Sequence, residues 1–558
     1  MYRVAFINPT HTDWSLANNM SYLMFQSHYK RHGRNKDKID WLPAPYKYDQ
    51  YENIQDIYKD TGHADIYLFS SYVWNYSICD DLAKLIKATS NAICVLGGPH
   101  IGTHDPEFLE TRDMYDYICQ PTKPGEVFVQ ELIDQIIEND IVDIDEVSWA
   151  IGSKKTCAQF MPEYSVYEEH IDYLMEMSDY SDSQGLEKFM ILETTRGCPY
   201  KCVYCEWGGG TGTKIYQKPL NIVKRDIDCL RDMGYRDVYL TDANFGAFEE
   251  RDLEIFEYAW KNKIILTDIS TMKAKDLDRR TRFFDSCFDI IAKHNFLDMT
   301  QNHPSIVPTM SIQSISENAM NISLRTDLSK EDKIKLSEHI DVRCKQQGYP
   351  TPTLELILSM PGSTLEEFYD EYILIDNFGV YGCLRHDYMY LPDTQLASKF
   401  YLEQHGIELV EVYTDLVDEE GVDNTNTFYK NHRNYFKTTA SCNTFTREEM
   451  AEMWFMNHAT RVVLQELYPP FRDTYRPGEF AKLVFDTIKY YDGFQLIFNE
   501  IRDILNPNTP ARSIKRLQGR PRNEIIDEFM LINSKVIISD IFMVRENNAK
   551  ETQFVGAL

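Results

Sequence analysis

The sequence lacks any uninterrupted apolar stretch of about 18 residues, the length that a helix needs to cross a bilayer. Its first residues, MYRVAFINPT, contain no basic segment followed by a long apolar one, so we expect neither a secretory signal nor a membrane span. Cysteine is sparse, with 12 residues in 558, which excludes a disulfide-stabilised scaffold. These absences together predict a protein of the reducing cytoplasm.

Basic residues are also few for a chain of this size. Lysine and arginine number 58 against 87 acidic residues, which gives a formal net charge of −29 that is spread along the chain. Such a charge repels phosphate, so we expect no nucleic-acid partner and no binding to an anionic membrane surface. A hydrophobic fraction of 43% is nevertheless enough to form sizeable cores, which argues against a disordered chain.

Short apolar segments alternate with helical patterns at the beginning of the chain. The predicted strands are 2–8, 65–74, 92–96 and 115–119, and the predicted helices include 76–89 and 126–137. This alternation is typical of parallel α/β layering, and we assign residues 1–140 to a first domain. Residues 141–188 are acidic and weakly periodic, and we interpret them as a connector.

A second alternation follows the connector. Its predicted strands are 189–193, 237–241, 264–270, 307–313, 353–359 and 385–391, separated by helical patterns such as 219–233 and 363–377. Six strand–helix units predict a full or partial βα barrel over residues 189–399, with functional residues at the carboxyl ends of its strands. The remainder, 400–558, is predicted to be mainly helical, with a capping box at Thr446 and Glu449.

The strongest chemical signal is the cysteine cluster in TTRGCPYKCVYCEW, which directly follows the first barrel strand. Cys198, Cys202 and Cys205 are separated by three and then two residues, and thiolates are the usual ligands of iron–sulfur clusters. Three ligands leave one iron of a four-iron cube open. The alternatives are a zinc site or chance, but structural zinc usually has four ligands and no second cysteine pair lies nearby. Cys229 is isolated in a helical pattern and is interpreted as a buried thiol.

The spacing Cys-x3-Cys-x-aromatic-Cys, with Tyr204 as the aromatic residue, resembles the signature of radical S-adenosylmethionine enzymes. The resemblance implies a partial (βα)6 barrel whose first loop holds a 4Fe–4S cluster. It also implies that the open iron chelates S-adenosylmethionine, which is cleaved to a 5′-deoxyadenosyl radical.

Segments at later strand ends resemble the family's cofactor-binding motifs. The resemblance implies that Asp242 and Asn244, in Thr241-Asp242-Ala243-Asn244-Phe245-Gly246, contact the methionine amino group. Ser311 and Gln313 correspond to a ribose-contacting motif, and Glu355 lies before a Pro361-Gly362 turn. Leu391-Pro392-Asp393-Thr394 resembles the motif that ends the sixth strand. The alternative is that these residues are ordinary turns and helix caps.

The first domain resembles the Rossmann-like domain of the family's cobalamin-binding subgroup. The segments that carry the resemblance are Ser70-Ser71-Tyr72-Val73-Trp74-Asn75 and Gly97-Gly98-Pro99-His100. Small residues at strand ends let a broad ligand approach the backbone, and Trp74 offers a flat apolar face. The alternative is a plain strand-ending turn and a core tryptophan.

Two departures from that subgroup affect the cobalamin assignment. No Asp-x-His-x-x-Gly follows the first strand, so we expect cobalamin without a lower histidine ligand, and His11 is interpreted as a solvated loop residue. The expected glycine–glutamate segment is reduced to Lys123-Pro124-Gly125-Glu126. Gly208-Gly209-Gly210-Thr211-Gly212 lacks the pattern of a nucleotide loop and is expected to let backbone approach the cluster.

The resemblance implies methylation of an unactivated carbon in an unidentified small molecule or peptide, with a flavodoxin- or ferredoxin-type electron donor. One alternative is a cobalamin-dependent radical rearrangement or cyclisation, and another is a radical enzyme whose first domain is empty. A non-catalytic iron–sulfur or zinc protein is the alternative of a different class. We expect the C-terminal region to close the barrel mouth.

Overall fold

The structure is a computed structural model that describes residues 1–10, 12–45, 51–103, 105–121, 123–139, 141–185, 190–206, 214–294, 296, 306–379, 382–414 and 434–555. Over these ranges the chain is a mixed α/β protein that begins with a parallel sheet and ends in helices. None of the helices in these ranges has the length and apolar character required to cross a bilayer.

Five parallel strands form the first sheet. They are β1 (Tyr2–Ile7), β2 (Ile39–Trp41), β3 (Ile66–Ser70), β4 (Ile93–Gly97) and β5 (Tyr117–Ile118). Their spatial order is β2-β1-β3-β4-β5, so the chain changes direction across the sheet between β1 and β3. Open α/β sheets bind ligands at the carboxyl ends of the strands near such a point.

Helices cover both faces of this sheet. They are α1 (Thr12–His32), α2 (Ile54–Thr61), α3 (Tyr76–Thr89), α4 (Pro106–Glu110) and α5 (Gly125–Asn139). In α3, Ile78, Leu82 and Ile86 recur every four residues and are all buried, which is why this segment is an amphipathic helix on one face. Helices α1 and α5 cover the other face, where Tyr22 and Leu132 enter its core.

Two three-stranded parallel sheets follow, with the orders β10-β9-β6 and β11-β12-β13. Their strands are β6 (Met190–Leu192), β9 (Asp237–Leu240), β10 (Ile265–Thr267), β11 (Met310–Gln313), β12 (Leu354–Leu358) and β13 (Cys383–Asp387). A short antiparallel pair, β7 (Thr195–Arg196) and β8 (Tyr216–Gln217), lies between β6 and β9. One hydrophobic core contains residues of both sheets, among them Leu192, Val238 and Leu356.

Helices alternate with these strands. They are α6 (Val166–Glu169), α7 (Ile171–Gln184), α8 (Leu220–Asp232), α9 (Glu249–Lys261), α10 (Leu277–Lys293), α11 (Glu317–Ile322), α12 (Lys330–Gln347), α13 (Leu365–Asp370) and α14 (Tyr372–Phe378). The single helix predicted at 363–377 is therefore two helices, the first of which begins with a capping box between Thr364 and Glu367.

The last part of the described chain is mostly helical. Its helices are α15 (Lys399–His405), α16 (Arg447–Val462), α17 (Pro477–Ile488), α18 (Asp492–Ile504) and α19 (Arg522–Val555). It also has strands that the sequence analysis missed: β14 (Glu408–Thr414), β15 (Asn434–Ser441), β16 (Arg512–Ser513), β17 (Arg516–Leu517) and β18 (Arg520–Pro521). Their alternation of polar and apolar residues, as in β14, was the available signal. The capping box predicted at Thr446 and Glu449 is present at the start of α16.

Candidate active site at the junction of the first sheet and the cysteine loop

The loop that carries the three cysteines follows β6 and is fixed at its centre by backbone hydrogen bonds. The Val203 N–H donates to the Ser323 carbonyl at 3.0 Å, and the Val203 carbonyl accepts from the Leu396 N–H at 3.1 Å. Cys198 and Cys202 are buried. The segment after β11 and the segment after β13 therefore hold the middle of the loop in place.

The three cysteines provide the sulfur donors that an iron–sulfur cluster takes. Among the described residues, no three His, Cys, Asp or Glu side chains converge on one metal position. In a 4Fe–4S cube each thiolate binds a different iron, so convergence is not required. The Asn244 Nδ2 donates to Cys198 Sγ at 3.1 Å, while the buried Oδ1 of Asn244 has no hydrogen-bond partner in the described part of the chain. Asn244 thus contacts the sulfur directly and leaves an acceptor for a further ligand.

Asp242 anchors the strand end that leads to the cysteine loop. Its carboxylate accepts from the Thr194 N–H at 2.7 Å and from the Thr195 N–H at 2.9 Å. Burial raises the pKa of Asp242 to about 6, although the threonine hydrogen bonds oppose this shift. These hydrogen bonds tie the end of β9 to the start of the cysteine loop.

The other predicted residues of the strand ends lie close to one another. Ser311 Oγ donates to Glu355 Oε2 at 2.6 Å. This side-chain hydrogen bond links the neighbouring strands β11 and β12. Gln313 has a left-handed φ of 67° at an irregular step of β11. Arg325 donates to the Ser311 carbonyl and, at 3.1 Å, to the Tyr204 hydroxyl. Arg325, which the sequence analysis missed, links the strand ends to the cysteine loop.

Positive charge gathers beside the cysteine loop. Asp327 lies 3.1 Å from Arg325, 2.8 Å from Arg280 and 4.0 Å from Lys333, all of them buried. Burial, together with the two neighbouring arginines, lowers the pKa of Lys333 to about 8, while Asp327 opposes this shift. Asp327 thus contacts three cationic groups beside the cysteine loop.

The loop after β3 is held by a buried asparagine. The Asn75 Nδ2 donates to the Pro9 carbonyl at 3.0 Å and to the Ser70 carbonyl at 3.1 Å, and its Oδ1 accepts from the Tyr72 N–H at 2.7 Å. Trp74 stacks on Tyr72 with the ring centroids 4.6 Å apart. Asn75 therefore fixes the shape of the loop.

The loop after β4 packs tightly on the loop after β3. The Ser71 N–H donates to the Gly97 carbonyl at 2.8 Å. Gly98 has a φ of 97°, and a Cβ there would lie 2.4 Å from the Ser71 carbonyl oxygen. Glycine is required at 98 because both the backbone conformation and the available space exclude a side chain.

A cavity of about 460 Å³ lies between these two loops and the cysteine loop. Four predicted residues line it: Ser70, Tyr72, Gly97 and Gly98. The opposite wall includes Arg196, Glu206, Thr241 and Ala243. Ser71, Trp74 and Asn75 are not part of the wall that the described residues form, and Trp74 packs toward the C-terminal core instead.

Arg196 forms hydrogen bonds to residues on two walls of the cavity. Its Nη1 donates to Glu126 Oε1 at 3.0 Å, and its Nε and Nη2 each donate to Glu193 at 2.8 Å. Glu126 belongs to α5 of the first sheet, whereas Glu193 directly follows β6. The Arg196 guanidinium therefore joins α5 to the segment after β6, and these two parts of the structure enclose the cavity.

Glu206 immediately follows Cys205 and lines the cavity. Both of its carboxylate oxygens are buried without a hydrogen-bond partner among the described residues. Burial and the nearby charge of Asp393 raise the pKa of Glu206 to about 8. The sequence analysis missed Glu206 and Arg196, although charged residues directly beside a metal-binding motif were a signal for them.

Two predictions fall outside the described residues, namely the glycine-rich segment Gly208–Gly212 and His11. The residues that are described fit a broad, amide-rich ligand such as cobalamin in two ways. The close contact between Gly98 and Ser71 brings exposed backbone to the cavity edge, and the buried carboxylate of Glu206 requires a donor.

No family model matches the sequence. The chain is 26% identical over 367 residues to the cobalamin-dependent radical SAM methyltransferase TokK of Streptomyces tokunonensis, an alignment that covers 64% of this chain and 51% of TokK. It is 25% identical over 354 residues to the 2-(S-pantetheinyl)-carbapenam-3-carboxylate methyltransferase of Streptantibioticus cattleyicolor, covering 59% and 49% of the two chains. The chain thus spans about half the length of each relative.

Solved structures show the same fold at low sequence identity. The cobalamin-dependent S-adenosylmethionine radical enzyme OxsB, with aqua-cobalamin and S-adenosylmethionine bound, has a TM-score of 0.56 at 12% identity and covers 99% of this chain and 80% of its own. The radical S-adenosylmethionine methyltransferase TsrM of Kitasatospora setae has a TM-score of 0.55 at 14% identity and covers 84% and 90%. The chain is therefore related, in sequence and in fold, to the cobalamin-dependent radical S-adenosylmethionine enzymes that its cysteine motif and its first domain together predict.

Proposed function

We propose that the chain is a cobalamin-dependent radical S-adenosylmethionine enzyme that methylates an unactivated carbon of a small molecule or peptide. The observation that supports this most is the position of the cavity, which lies between the strand-end loops of the first sheet and the cysteine loop. A substrate there would face both cofactors. The names of TokK and TsrM, both methyltransferases, favour methyl transfer over rearrangement.

The proposed organisation follows the sequence analysis. Residues 1–140 would bind cobalamin, residues 141–188 would connect, residues 189–399 would form a partial (βα)6 barrel with the cluster, and residues 400–558 would cover the barrel. The two three-stranded parallel sheets support the barrel because they share one core. The C-terminal core supports the covering role because it includes Leu358, which ends β12.

Each predicted site residue has a proposed role, and that of Asp242 is to hold the start of the cysteine loop through Thr194 and Thr195. Cys198, Cys202 and Cys205 would hold the cluster, and Asn244 would stabilise it through its contact with Cys198. The residues proposed to surround S-adenosylmethionine are Tyr204, Ser311, Gln313 and Glu355. The residues proposed to surround cobalamin are Ser70, Tyr72, Gly97 and Gly98, with Ser71, Trp74 and Asn75 supporting their loops.

When bound, the cluster supplies the electron that cleaves S-adenosylmethionine, and cobalamin supplies the methyl group. The chain's own residues supply charge and geometry. Arg325, a buried cation, ties the cysteine loop to β11 through the Tyr204 hydroxyl and the Ser311 carbonyl. Arg196 holds the two walls of the cavity together through its hydrogen bonds to Glu126 and Glu193.

Two further parts of the proposal concern the setting of the enzyme. The reaction needs a low-potential electron, which a flavodoxin- or ferredoxin-type protein would provide. Thiolate ligands and oxygen-sensitive clusters suit a reducing compartment, so we propose a cytoplasmic location.

Anaerobic reconstitution with iron, sulfide and hydroxocobalamin, followed by desalting, metal analysis and an absorbance spectrum, tests the cofactors. We expect about four irons and one cobalt per chain. Cys202→Ala should lose the iron, while Cys157→Ala, a matched change outside the loop, should keep it. Iron without cobalt would discard the cobalamin proposal, and zinc in place of iron would discard the radical enzyme.

The products formed from S-adenosylmethionine distinguish methyl transfer from rearrangement. A methyltransferase of this kind uses one molecule as methyl donor and one as radical source, so both S-adenosylhomocysteine and 5′-deoxyadenosine should appear. Release of 5′-deoxyadenosine alone in the cobalamin-loaded protein would favour rearrangement or cyclisation.

A further inference from the structure

Glu206 is a buried carboxylate whose ligand is missing from the described part of the protein. Both oxygens are shielded from solvent, and neither has a hydrogen-bond partner that meets the usual distance and angle limits among the described residues. An unsatisfied buried carboxylate is strongly unfavourable, so a donor is expected at this point of the cavity wall.

Lys123 lines the same cavity from the first sheet, just before α5. Its ammonium lies 5.0 Å from the centre of the Trp149 ring and forms no ion pair with a carboxylate among the described residues. Burial lowers the pKa of Lys123, which indicates that its charge is incompletely solvated. Lys123 is therefore a donor available to a ligand.

Lys123 and Glu206 line the same cavity, Lys123 from the side of the first sheet and Glu206 from the end of the cysteine loop. The charge of Asp393 acts on both groups. Asp393 accepts hydrogen bonds at Oδ1 from the N–H of Thr103, at 3.2 Å, and from the Thr103 hydroxyl. No salt bridge joins Asp393 to Lys123 among the described residues.

We propose that Lys123 and Glu206 together bind one primary amide of the corrin periphery, with Lys123 donating to the amide oxygen and Glu206 accepting from the amide N–H. This inference rests on the proposed function. A primary amide has one acceptor and two donors, so it complements an ammonium and a carboxylate that face a common space. Cobalamin carries such amides around its ring, and a carboxyl group keeps an acceptor oxygen in either protonation state.

The contact would position one cofactor relative to the other. Glu206 is the next residue in the chain after Cys205, whereas Lys123 lines the cavity from the first domain. An amide held between Lys123 and Glu206 would fix the position of the corrin ring relative to the cysteine loop. A single side chain of the cofactor would make this contact. Glu206 and Lys123 are thus assigned as positioning residues.

The affinity of the iron-loaded full chain for hydroxocobalamin, measured by anaerobic equilibrium dialysis with absorbance detection, tests this proposal. Glu206→Ala and Lys123→Ala should each bind about 10-fold more weakly than the unchanged protein. The double variant should lose less than the product of the two single losses, because both residues act on one amide. Glu206→Gln retains an acceptor and should stay within about 3-fold.

The controls separate this proposal from loss of fold and from the proposed function. Lys399→Ala and Glu403→Ala alter an exposed lysine–glutamate pair on α15 and should leave the affinity unchanged. All variants should retain their iron and their circular dichroism spectrum. Unchanged affinity in Glu206→Ala, or fully multiplicative losses in the double variant, would overturn the shared amide while leaving the enzyme class intact. Failure of the unchanged protein to bind hydroxocobalamin would overturn the cobalamin function and this inference together.

Discussion

Arg196 and Glu126 join the first sheet to the strand that precedes the cysteine loop, with Nη1 and Oε1 3.0 Å apart. The arginine is two residues before Cys198, and the glutamate is at the beginning of α5. Since both line the cavity, this pair sets the separation of the walls between which cobalamin is proposed to bind.

Arg196→Gln should therefore weaken both stability and cobalamin retention. The change leaves Glu126 and Glu193 without their buried partner, which costs about 3 kcal/mol or more. Arg196→Lys keeps the charge but not the fork geometry and should have an intermediate effect. Urea unfolding and cobalt analysis after desalting measure the two effects. An unfolding midpoint equal to that of the unchanged protein would contradict this role.

Gly98→Ala should destabilise the first sheet and release cobalamin. The new Cβ would collide with the Ser71 carbonyl oxygen, 2.4 Å away, at a φ of 97° that alanine disfavours. The expected cost is about 2 kcal/mol or more. Gly152→Ala is the matched control because Gly152 also has a positive φ, of 85°, but a Cβ added there would meet no other atom within 4 Å. Equal losses in the two variants by chemical denaturation would show that close packing at Gly98 is unimportant.

Asn244→Ala should lower the reduction potential of the cluster. The Asn244 N–H donates to Cys198 Sγ at 3.1 Å, and a donor to a ligating sulfur stabilises the more negative, reduced state. Loss of one hydrogen bond worth about 1 kcal/mol corresponds to about 40 mV for one electron. A redox titration followed by electron paramagnetic resonance measures the shift, and an unchanged or higher potential would contradict it.

Stability should fall as the pH drops below about 6.5, in part because of His100. Burial, and secondarily the charge of Arg112, lowers the pKa of His100 to about 3. The unfolded chain binds the proton below its own pKa of about 6.5, whereas the folded chain does so only near 3. The stability present above pH 6.5 is therefore lost progressively between these values.

The loss attributable to His100 has a slope of up to about 1.4 kcal/mol per pH unit. His100→Phe keeps the ring contact with Tyr76, whose centroid lies 4.5 Å away, and removes the proton site. Urea unfolding at pH 5 and pH 7 should show a smaller difference for this variant than for the unchanged protein. A difference of the same size would assign the acid sensitivity to other groups.

Local signals in the sequence predicted the helices better than the ends of the strands. Helix α3 was predicted at 76–89 and is observed at Tyr76–Thr89, because its apolar periodicity lies within the segment itself. The strand predicted at 65–74 ends at Ser70 instead. Its end is decided by Asn75, whose side chain bonds to the Pro9 carbonyl of a distant segment and turns the chain.

The residues of the site also differ in whether a local sequence pattern could predict them. The spacing of Cys198, Cys202 and Cys205 is a local pattern, so the cluster motif and the family resemblance were readable directly. The resemblance of the loop after β3 also suggested Trp74 as a flat face for the cofactor. In the structure Trp74 stacks on Tyr72 and packs toward the C-terminal core. Arg196 and Glu206 were missed because their importance depends on burial and on partners far along the chain.

The sequence by itself determined the alternation of strands and helices in the first two regions and the cysteine spacing, because hydrophobic periodicity and ligand spacing are properties of short segments. Tertiary structure alone decided which strand ends meet at one cavity, that Arg196 bridges to Glu126, and that Glu206 is left without a partner among the described residues. These features depend on long-range packing, and the burial that makes an unpaired carboxylate costly exists only in the folded chain.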